Sequence, residues 1–200
     1  MCHAFVSDSR FYQFLFHIDQ DIANDAQLQG CAHCYDKLHV ASYPRKPRGI
    51  RCALDESYES RLSFCCARDG CRRRCTPPSV RFLGRRVYLG TIVILVMAME
   101  HGLSATRRKQ LVERLDLCPQ TLARWRVWWR KLFPASRCWQ ANKGHFIPPV
   151  DTNLLPASLL GRFNGQDLAH RVCLLLRLLA PLTTTSWSGS LTVVINPQKM

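Results

Sequence analysis

Two closely spaced groups of cysteines constrain the fold of this chain more than any other feature of its sequence. Cys31 and Cys34 form a CxxC pair, and Cys65, Cys66, Cys71 and Cys75 form a second group about thirty residues later. A CxxC turn lets two thiolates bind one ion, and a second pair completes the tetrahedral four-cysteine site typical of structural zinc. The sequence therefore predicts a zinc ribbon.

The register of a strand selects among the cysteines of the second group. Phe64 and Cys66 fall on one face of an extended segment, and Cys65 falls on the other. Gly70 can supply the backbone conformation that the turn before Cys71 needs. We therefore predict a Zn²⁺ site with the ligands Cys31, Cys34, Cys66 and Cys71.

Other interpretations of the cysteines stay open at this point. The long gap and the CxxxxC spacing of the second pair depart from the commonest zinc patterns. Cys65 could therefore replace Cys66, and His33 or His39 could replace one thiolate. The cysteines could also be plain buried thiols. A thioredoxin-like redox site is less favoured, because no strand and helix flank the CxxC pair.

Charge and composition indicate the kind of partner and the compartment. The 200 residues carry 28 Lys and Arg against 14 acids, a net charge of +14 that favours nucleic acid over an anionic membrane surface. The cysteine count of eleven is odd and no signal peptide is visible, which favours a cytoplasmic, nucleoid-associated protein. The most apolar run, 87–99, is too short to span a bilayer.

The pattern along the chain predicts an α+β fold that is mainly α. An amphipathic helix within 1–30 should bury the apolar side chains of Phe11, Phe14, Leu15, Ile18, Ile22 and Ala23 and end at Gly30. The ribbon with a basic loop occupies 31–83, and a trihelical helix-turn-helix occupies 84–133. A connector and a short helical pair follow over 134–182, and 183–200 is a tail without an obvious core to join.

The helix-turn-helix is predicted from three helices, Val87 to His101, Thr106 to Leu115 and Pro119 to Phe133. Leu122, Trp125, Trp129 and Leu132 recur at helical spacing and should face inward. Residues 106–131 hold eight basic and two acidic side chains, a balance of +6. A charged helix face often only solvates the surface, but its combination with a buried Trp stripe and a short turn favours DNA binding.

The predicted DNA contacts are of two kinds. Base contacts in the major groove should come from the exposed face of the last helix, with Trp128 either stacking on the DNA or packing near Trp139. Phosphate contacts should come from basic residues in the preceding helix and in the ribbon loop. The predicted set is Gln120, Thr121, Arg124, Trp128 and Lys131, then Arg107, Arg108 and Lys109, then Arg45, Lys46 and Arg48.

Several of these motifs together resemble bacterial transposase-like zinc-ribbon proteins of mobile-element context. They are the CxxC pair, the second pair ending in GCRRR, the phrase TPPSVRFLGRRVYLG and the phrase TLARWRVWW. The resemblance spans about Phe11 to Leu182 and implies a four-cysteine zinc ribbon followed by a trihelical DNA-binding module. Two positions depart from it: Tyr35 stands where Gly is common, and Cys118 where a Ser or Thr cap is usual.

These patterns predict a DNA-binding protein that is accessory or regulatory to a transposable element and is not itself an enzyme. Acidic residues are sparse, and no set of carboxylates suited to two-metal cleavage of DNA is visible. The alternatives are an RNA-binding protein, a protein-interaction adaptor, or the remnant of a larger transposase. A homo-oligomer or a transposition partner protein is possible. RNA binding would be favoured by an exposed stacking surface of Trp128, Trp139 and Tyr43.

Overall fold

The computed structural model describes residues 9–45, 55–83, 87–88, 104–106, 109, 113, 120, 123–124, 127–165 and 167–184. Within these ranges the fold is mixed α+β, as predicted. The α-helices are α1 (Ser9–Gln29), α2 (Arg137–Asn142), α3 (Ala157–Leu160) and α4 (Leu168–Leu179). The strands are β1 (Leu38–Val40), β2 (Tyr43–Pro44), β3 (Ser60–Arg61), β4 (Phe64–Cys66), β5 (Arg74–Cys75), β6 (Phe82–Leu83) and β7 (Val87–Tyr88).

Helix α1 confirms most of the amphipathic pattern. Its buried residues include Phe11, Leu15, Ile18, Ile22 and Ala23, as predicted, together with Tyr12, Asp19 and Ala26. Phe14 is a correction, because it is exposed and Tyr12 takes an inward position instead. The helix ends where predicted: Gly30 has a φ of +75°, and a Cβ there would lie 3.1 Å from the carbonyl oxygens of Tyr35 and Asp36. Only glycine fits this turn without strain.

The strands form small antiparallel sheets around the cysteines. One sheet has the order β1-β4-β5, with Leu38 opposite Cys66 and Phe64 opposite Cys75. A second sheet pairs β2 with β3, and a third pairs β6 with β7. The last pairing corrects one prediction, because Val87 and Tyr88 begin no helix but pair with Leu83 and Phe82. At these two residues, hydrogen bonding to a neighbouring strand prevails over the apolar pattern, and the rest of the run lies outside the described residues.

The predicted helix-turn-helix lies largely outside the described residues. Residues 89–103, 107–108, 110–112, 114–119, 121–122 and 125–126 are not described, so the predictions for Leu122 and Trp125 are among those that lie outside. The described positions 105–106, 109 and 113 are helical, as are 120, 123–124 and 127. These positions agree with two of the predicted helices.

The end of the last predicted helix differs from the prediction. Residues Trp128–Leu132 form a π-helix, in which the backbone N–H of Phe133 donates to the carbonyl of Trp128 at 2.8 Å. A π turn holds more residues than an α turn and rotates the side chains that follow it. Trp129 is buried as predicted, but Leu132 is 59% exposed and Phe133 takes the inward position.

Two clusters of buried side chains form the interior, and α1 contributes to both. The larger cluster joins the first part of α1 to the aromatic side chains between Trp129 and Phe146 and to α3 and α4. A series of ring contacts runs through it, from Trp129 to Phe133, Trp139, Phe146 and Phe163, with centroid distances of 5.0 to 6.1 Å. The smaller cluster surrounds the cysteines and includes Ala23 and Ala26 of α1. A single helix face therefore connects the two cores.

A buried ion pair fixes α1 to the segment that follows β5. The Asp19 carboxylate accepts hydrogen bonds from the backbone N–H of Val80 at 2.6 Å, the Ser79 hydroxyl at 2.5 Å and Arg81 Nε at 2.8 Å. The remaining guanidinium nitrogens of Arg81 donate to the carbonyls of Tyr58 and Ser60. Every polar group of the pair has a partner, which a buried charge requires.

The C-terminal helices follow the predicted short pair, and the chain then returns to the segment after β5. Helix α4 is capped by Asp167, whose carboxylate accepts from the backbone N–H of His170 at 2.7 Å. After α4, the Thr183 hydroxyl oxygen accepts from the N–H of Ser79 at 3.0 Å, and the Thr184 hydroxyl donates to the carbonyl of Thr76 at 2.7 Å. Thr183 and Thr184 begin the segment for which the sequence indicated no obvious core to join, and in the structure these two residues hydrogen-bond back to Ser79 and Thr76.

Candidate metal centre

The first half of the candidate site is the tight turn that follows α1. The backbone N–H of Cys31 donates to the carbonyl of Asp36, and that of Tyr35 donates to the carbonyl of Cys31, both at 2.8 Å. These bonds fold residues 31–36 back on themselves and bring the thiols of Cys31 and Cys34 to one side. Tyr35 has a φ of 60°. The residue that stands in the usual place of Gly therefore adopts the left-handed conformation that Gly would supply.

The second half is the hairpin between β4 and β5. The backbone N–H groups of Cys71 and Arg72 both point to the carbonyl of Arg68, at 3.1 and 3.3 Å. Gly70 has a φ of +86°, a glycine conformation of the kind that the sequence predicted for this turn. Arg72 has a φ of 42°. The two halves are thus alike, because in each of them the residue after the second cysteine has a positive φ.

The two turns bring together the four cysteines that the sequence predicted. The Sγ atoms of Cys31, Cys34, Cys66 and Cys71 all lie within 4.8 Å of one another. The Sγ atoms of Cys31 and Cys71 are 3.8 Å apart, and those of Cys34 and Cys66 are 3.4 Å apart. Four thiolates around one zinc ion at 2.3 Å would be separated by about 3.8 Å. The geometry therefore fits a tetrahedral thiolate site.

The alternative ligands lie outside this group. Cys65 is on the opposite face of β4, and its Sγ contacts the carbonyl of Arg72 at 3.3 Å. His33 and His39 are exposed, and neither belongs to the only group of potential metal ligands that the described part of the chain contains. Cys75 is buried beside the cluster but is not a member of it. The strand register that favoured Cys66 over Cys65 agrees with the structure.

The electrostatic environment differs between the two halves of the cluster. The pKa of Cys31 is lowered to about 7, chiefly because the backbone N–H of His33 donates to its sulfur, with a further bond from the N–H of Cys34. Burial raises the pKa of Cys66 to about 12. A cation that binds four thiolates would offset the cost of burying their charge. The donor set is soft and contains four protein ligands, which suits a closed site.

An apolar layer supports the cluster on one side. Phe64 is buried on the same strand face as Cys66, as predicted, and Leu38 lies opposite Cys66 on β1. Ala23 and Ala26 of α1 complete this layer. Such a layer keeps water away from thiolate ligands and orients them.

The predicted DNA-contacting residues fall into three groups. Gln120, Arg124, Lys131 and Lys109 are exposed, as a contact surface requires. Lys46, Arg48, Arg107, Arg108 and Thr121 lie outside the described residues. Arg45 is half-buried, with its guanidinium carbon 5.6 Å from the centre of the Phe82 ring.

Trp128 packs against other aromatic side chains, which is the second of the two roles predicted for it. It is half-buried, and its ring packs on those of Trp129 and Phe133 at 4.8 and 5.4 Å. The ring packs toward the aromatic core, and the place of Trp128 among the DNA contacts stays a prediction. Trp139 is also buried, so these two rings do not form the exposed stacking surface that would have favoured RNA binding.

Sequence reasoning missed the buried ion pair that links α1 to the segment after β5, formed by Asp19 and Arg81. One signal was present: Asp19 follows Ile18 and precedes Ile22 on the apolar face of α1, where a carboxylate is stable only with a buried partner. No local pattern identifies Arg81 as that partner, since sixty-two residues separate the two.

Comparison with protein families, curated proteins and solved structures yields no match to this chain. The resemblance to transposase-like proteins therefore stays a prediction. Among the described residues, no helix has the length and hydropathy needed to cross a membrane.

Proposed function

We propose that this protein is a zinc-stabilised DNA-binding protein whose metal site is structural. The observation that carries the proposal is the cluster of four thiols within 4.8 Å, set in a chain with a net charge of +14. A catalytic zinc site keeps one position for water or substrate, whereas four protein thiolates leave none. The role of the metal is then to hold β1, β4 and β5 together. The charge provides the attraction for a polyanion.

The exposed basic side chains support duplex DNA as the partner. Arg124 and Lys131 are exposed on the predicted recognition helix, and Lys109 is exposed on the helix before it. This arrangement suits a helix that reads base edges and a neighbour that contacts phosphates. The setting in a mobile element, with an accessory or regulatory role and no catalytic site of its own, rests on the sequence resemblance alone.

A mobility-shift titration at several salt concentrations tests this proposal. Zinc-loaded protein should bind labelled duplex DNA with an affinity that falls linearly on a log-log plot against salt, since phosphate contacts release counterions. Removal of zinc by a chelator should weaken binding strongly, and added zinc should restore it. Arg124→Ala should reduce the preference for a selected sequence by about 1 to 3 kcal/mol, whereas Lys109→Ala should weaken all sequences alike. Absence of binding by zinc-loaded protein would refute the proposal.

A further inference from the structure

An arginine-rich hairpin lies directly on the candidate metal centre and was not among the predicted DNA contacts. The segment Arg68–Arg74, which we call the arginine hairpin, contains Arg68, Arg72, Arg73 and Arg74 against the single acid Asp69. All four arginines are exposed. This is a dense positive charge on a surface only seven residues long, and guanidinium groups are well suited to binding phosphate.

The four guanidinium groups differ in what they contact within the protein. Arg72 pairs with Asp69 at 2.6 Å, and Arg74 lies over the Tyr43 ring at 5.4 Å. The side chains of Arg68 and Arg73 have no hydrogen bond, ion pair or ring contact with any described residue. Two of the arginines therefore have intramolecular contacts, and the other two present their full charge to the solvent.

The backbone that spaces these arginines is tied to the cysteines. The carbonyl of Arg68 accepts from the backbone N–H groups of Cys71 and Arg72 at 3.1 and 3.3 Å. The N–H of Cys66 donates to the carbonyl of Arg73 at 2.9 Å, and the sulfur of Cys65 contacts the carbonyl of Arg72. Cys66 and Cys71 of the cluster lie in and beside this hairpin. Any ion that fixes the four sulfur atoms also fixes the positions from which the arginines project.

From these contacts we propose that the arginine hairpin is a second DNA-contacting surface. Arg68 and Arg73 contact the phosphate backbone, and the hairpin keeps its conformation only while the metal is bound. The inference rests on the proposed function and assigns a second DNA-contacting surface to the protein. It gives the metal a direct part in DNA binding, because the loop that holds two ligands is also the loop that meets the phosphates. Phosphate contacts position a protein without reading its sequence, so this surface should be indifferent to base composition.

The test compares the double variant Arg68→Gln/Arg73→Gln with the matched double variant Arg137→Gln/Arg177→Gln. Both change two exposed arginines, and the second pair lies on α2 and α4, outside the four-cysteine cluster. Each protein is titrated with a mixed-sequence duplex over a series of salt concentrations. Loss of two phosphate contacts should lower the log-log salt slope by about 1.8, because each contact contributes about 0.9. The matched variant should change the slope less, and the zinc content and thermal midpoint of both should equal those of the wild type.

A chelator gives the second arm of the test. Zinc removal should reduce the salt slope of the wild type by at least as much as the hairpin substitutions do. Zinc removal from the hairpin variant should change the slope less than it does in the wild type. If the wild type binds DNA and the hairpin variant is folded, zinc-loaded and unchanged in salt slope, this inference is overturned. A wild type that binds no duplex overturns the proposed function as well.

Discussion

The cysteine cluster and the Asp19–Arg81 ion pair are both buried polar sites that lie against α1, but they are completed in different ways. In the ion pair, protein groups satisfy each other: Asp19 accepts three hydrogen bonds, and Arg81 donates to it and to two carbonyls. In the cluster, four sulfur atoms face one another, and burial raises the pKa of Cys66. The first site is complete with protein groups alone, whereas thiolates at the second need a cation.

The comparison also shows why α1 can serve two cores. Its first part packs in the large aromatic cluster, and its last part packs under the cysteines. The ion pair lies within the first part, where Asp19 stands between Ile18 and Ile22, and it holds the chain near Val80 against the helix. Loss of metal should therefore release the cysteine region while the large core and the ion pair persist.

The largest expected effect is the response of backbone hydrogen exchange to a chelator. The amides of Cys66 and Ala67, which bond to the carbonyls of Arg73 and Lys37 in the β1-β4-β5 sheet, should lose about a thousandfold in protection. The Val80 amide, which donates to Asp19, should keep most of its protection. Hydrogen exchange measured by NMR compares the cysteine region and the ion-pair region in one sample. Equal loss at all three amides would show that the two sites form one cooperative unit.

An effect of comparable size is expected when the ion pair is broken in zinc-loaded protein. Asp19→Asn should destabilise the protein by about 3 to 5 kcal/mol, because it leaves the buried Arg81 without its counter-charge. The matched control is Asp21→Asn, which changes an exposed carboxylate on the same helix. Denaturant unfolding measures both, and zinc content should be unchanged in each. Similar stabilities for the two variants would contradict the assignment of Asp19 as the partner of Arg81.

The smallest effect concerns the two turns that hold the cysteines. Tyr35 is exposed and has a φ of 60°, a conformation that costs an ordinary residue roughly 1 to 2 kcal/mol. Tyr35→Gly should therefore stabilise the zinc-loaded protein by up to about 1 kcal/mol, after the entropy cost of glycine. Gly70→Ala, at a φ of +86° with no atom near the added methyl group, should destabilise it by about 1 kcal/mol. Denaturant unfolding measures both variants, and changes of the same sign in their unfolding free energies would contradict this account of the turns.

The parts of the fold that sequence reasoning predicted are those fixed by local spacing. The stop of α1 at Gly30, the turn at Gly70 and the choice of Cys66 over Cys65 each follow from a few neighbouring residues. Of the parts it missed, two depend on local backbone geometry and one on a distant contact. Val87 pairs with Leu83 because a strand lies beside it, and the π turn at Trp128 places Phe133 in the core where an α-helix would have placed Leu132. Arg81 pairs with Asp19 across sixty-two residues of sequence, which no local pattern predicts.

The measurement that tests the account most directly is the metal content of the purified protein and of two neighbouring variants. Elemental analysis should find about one zinc per chain in the wild type and in Cys65→Ser, since the Cys65 sulfur lies outside the cluster. Cys66→Ser should lose the zinc, because its sulfur is one of the four that lie within 4.8 Å of one another. A wild type without zinc, or a Cys66→Ser variant that retains a full equivalent, would contradict the central claim.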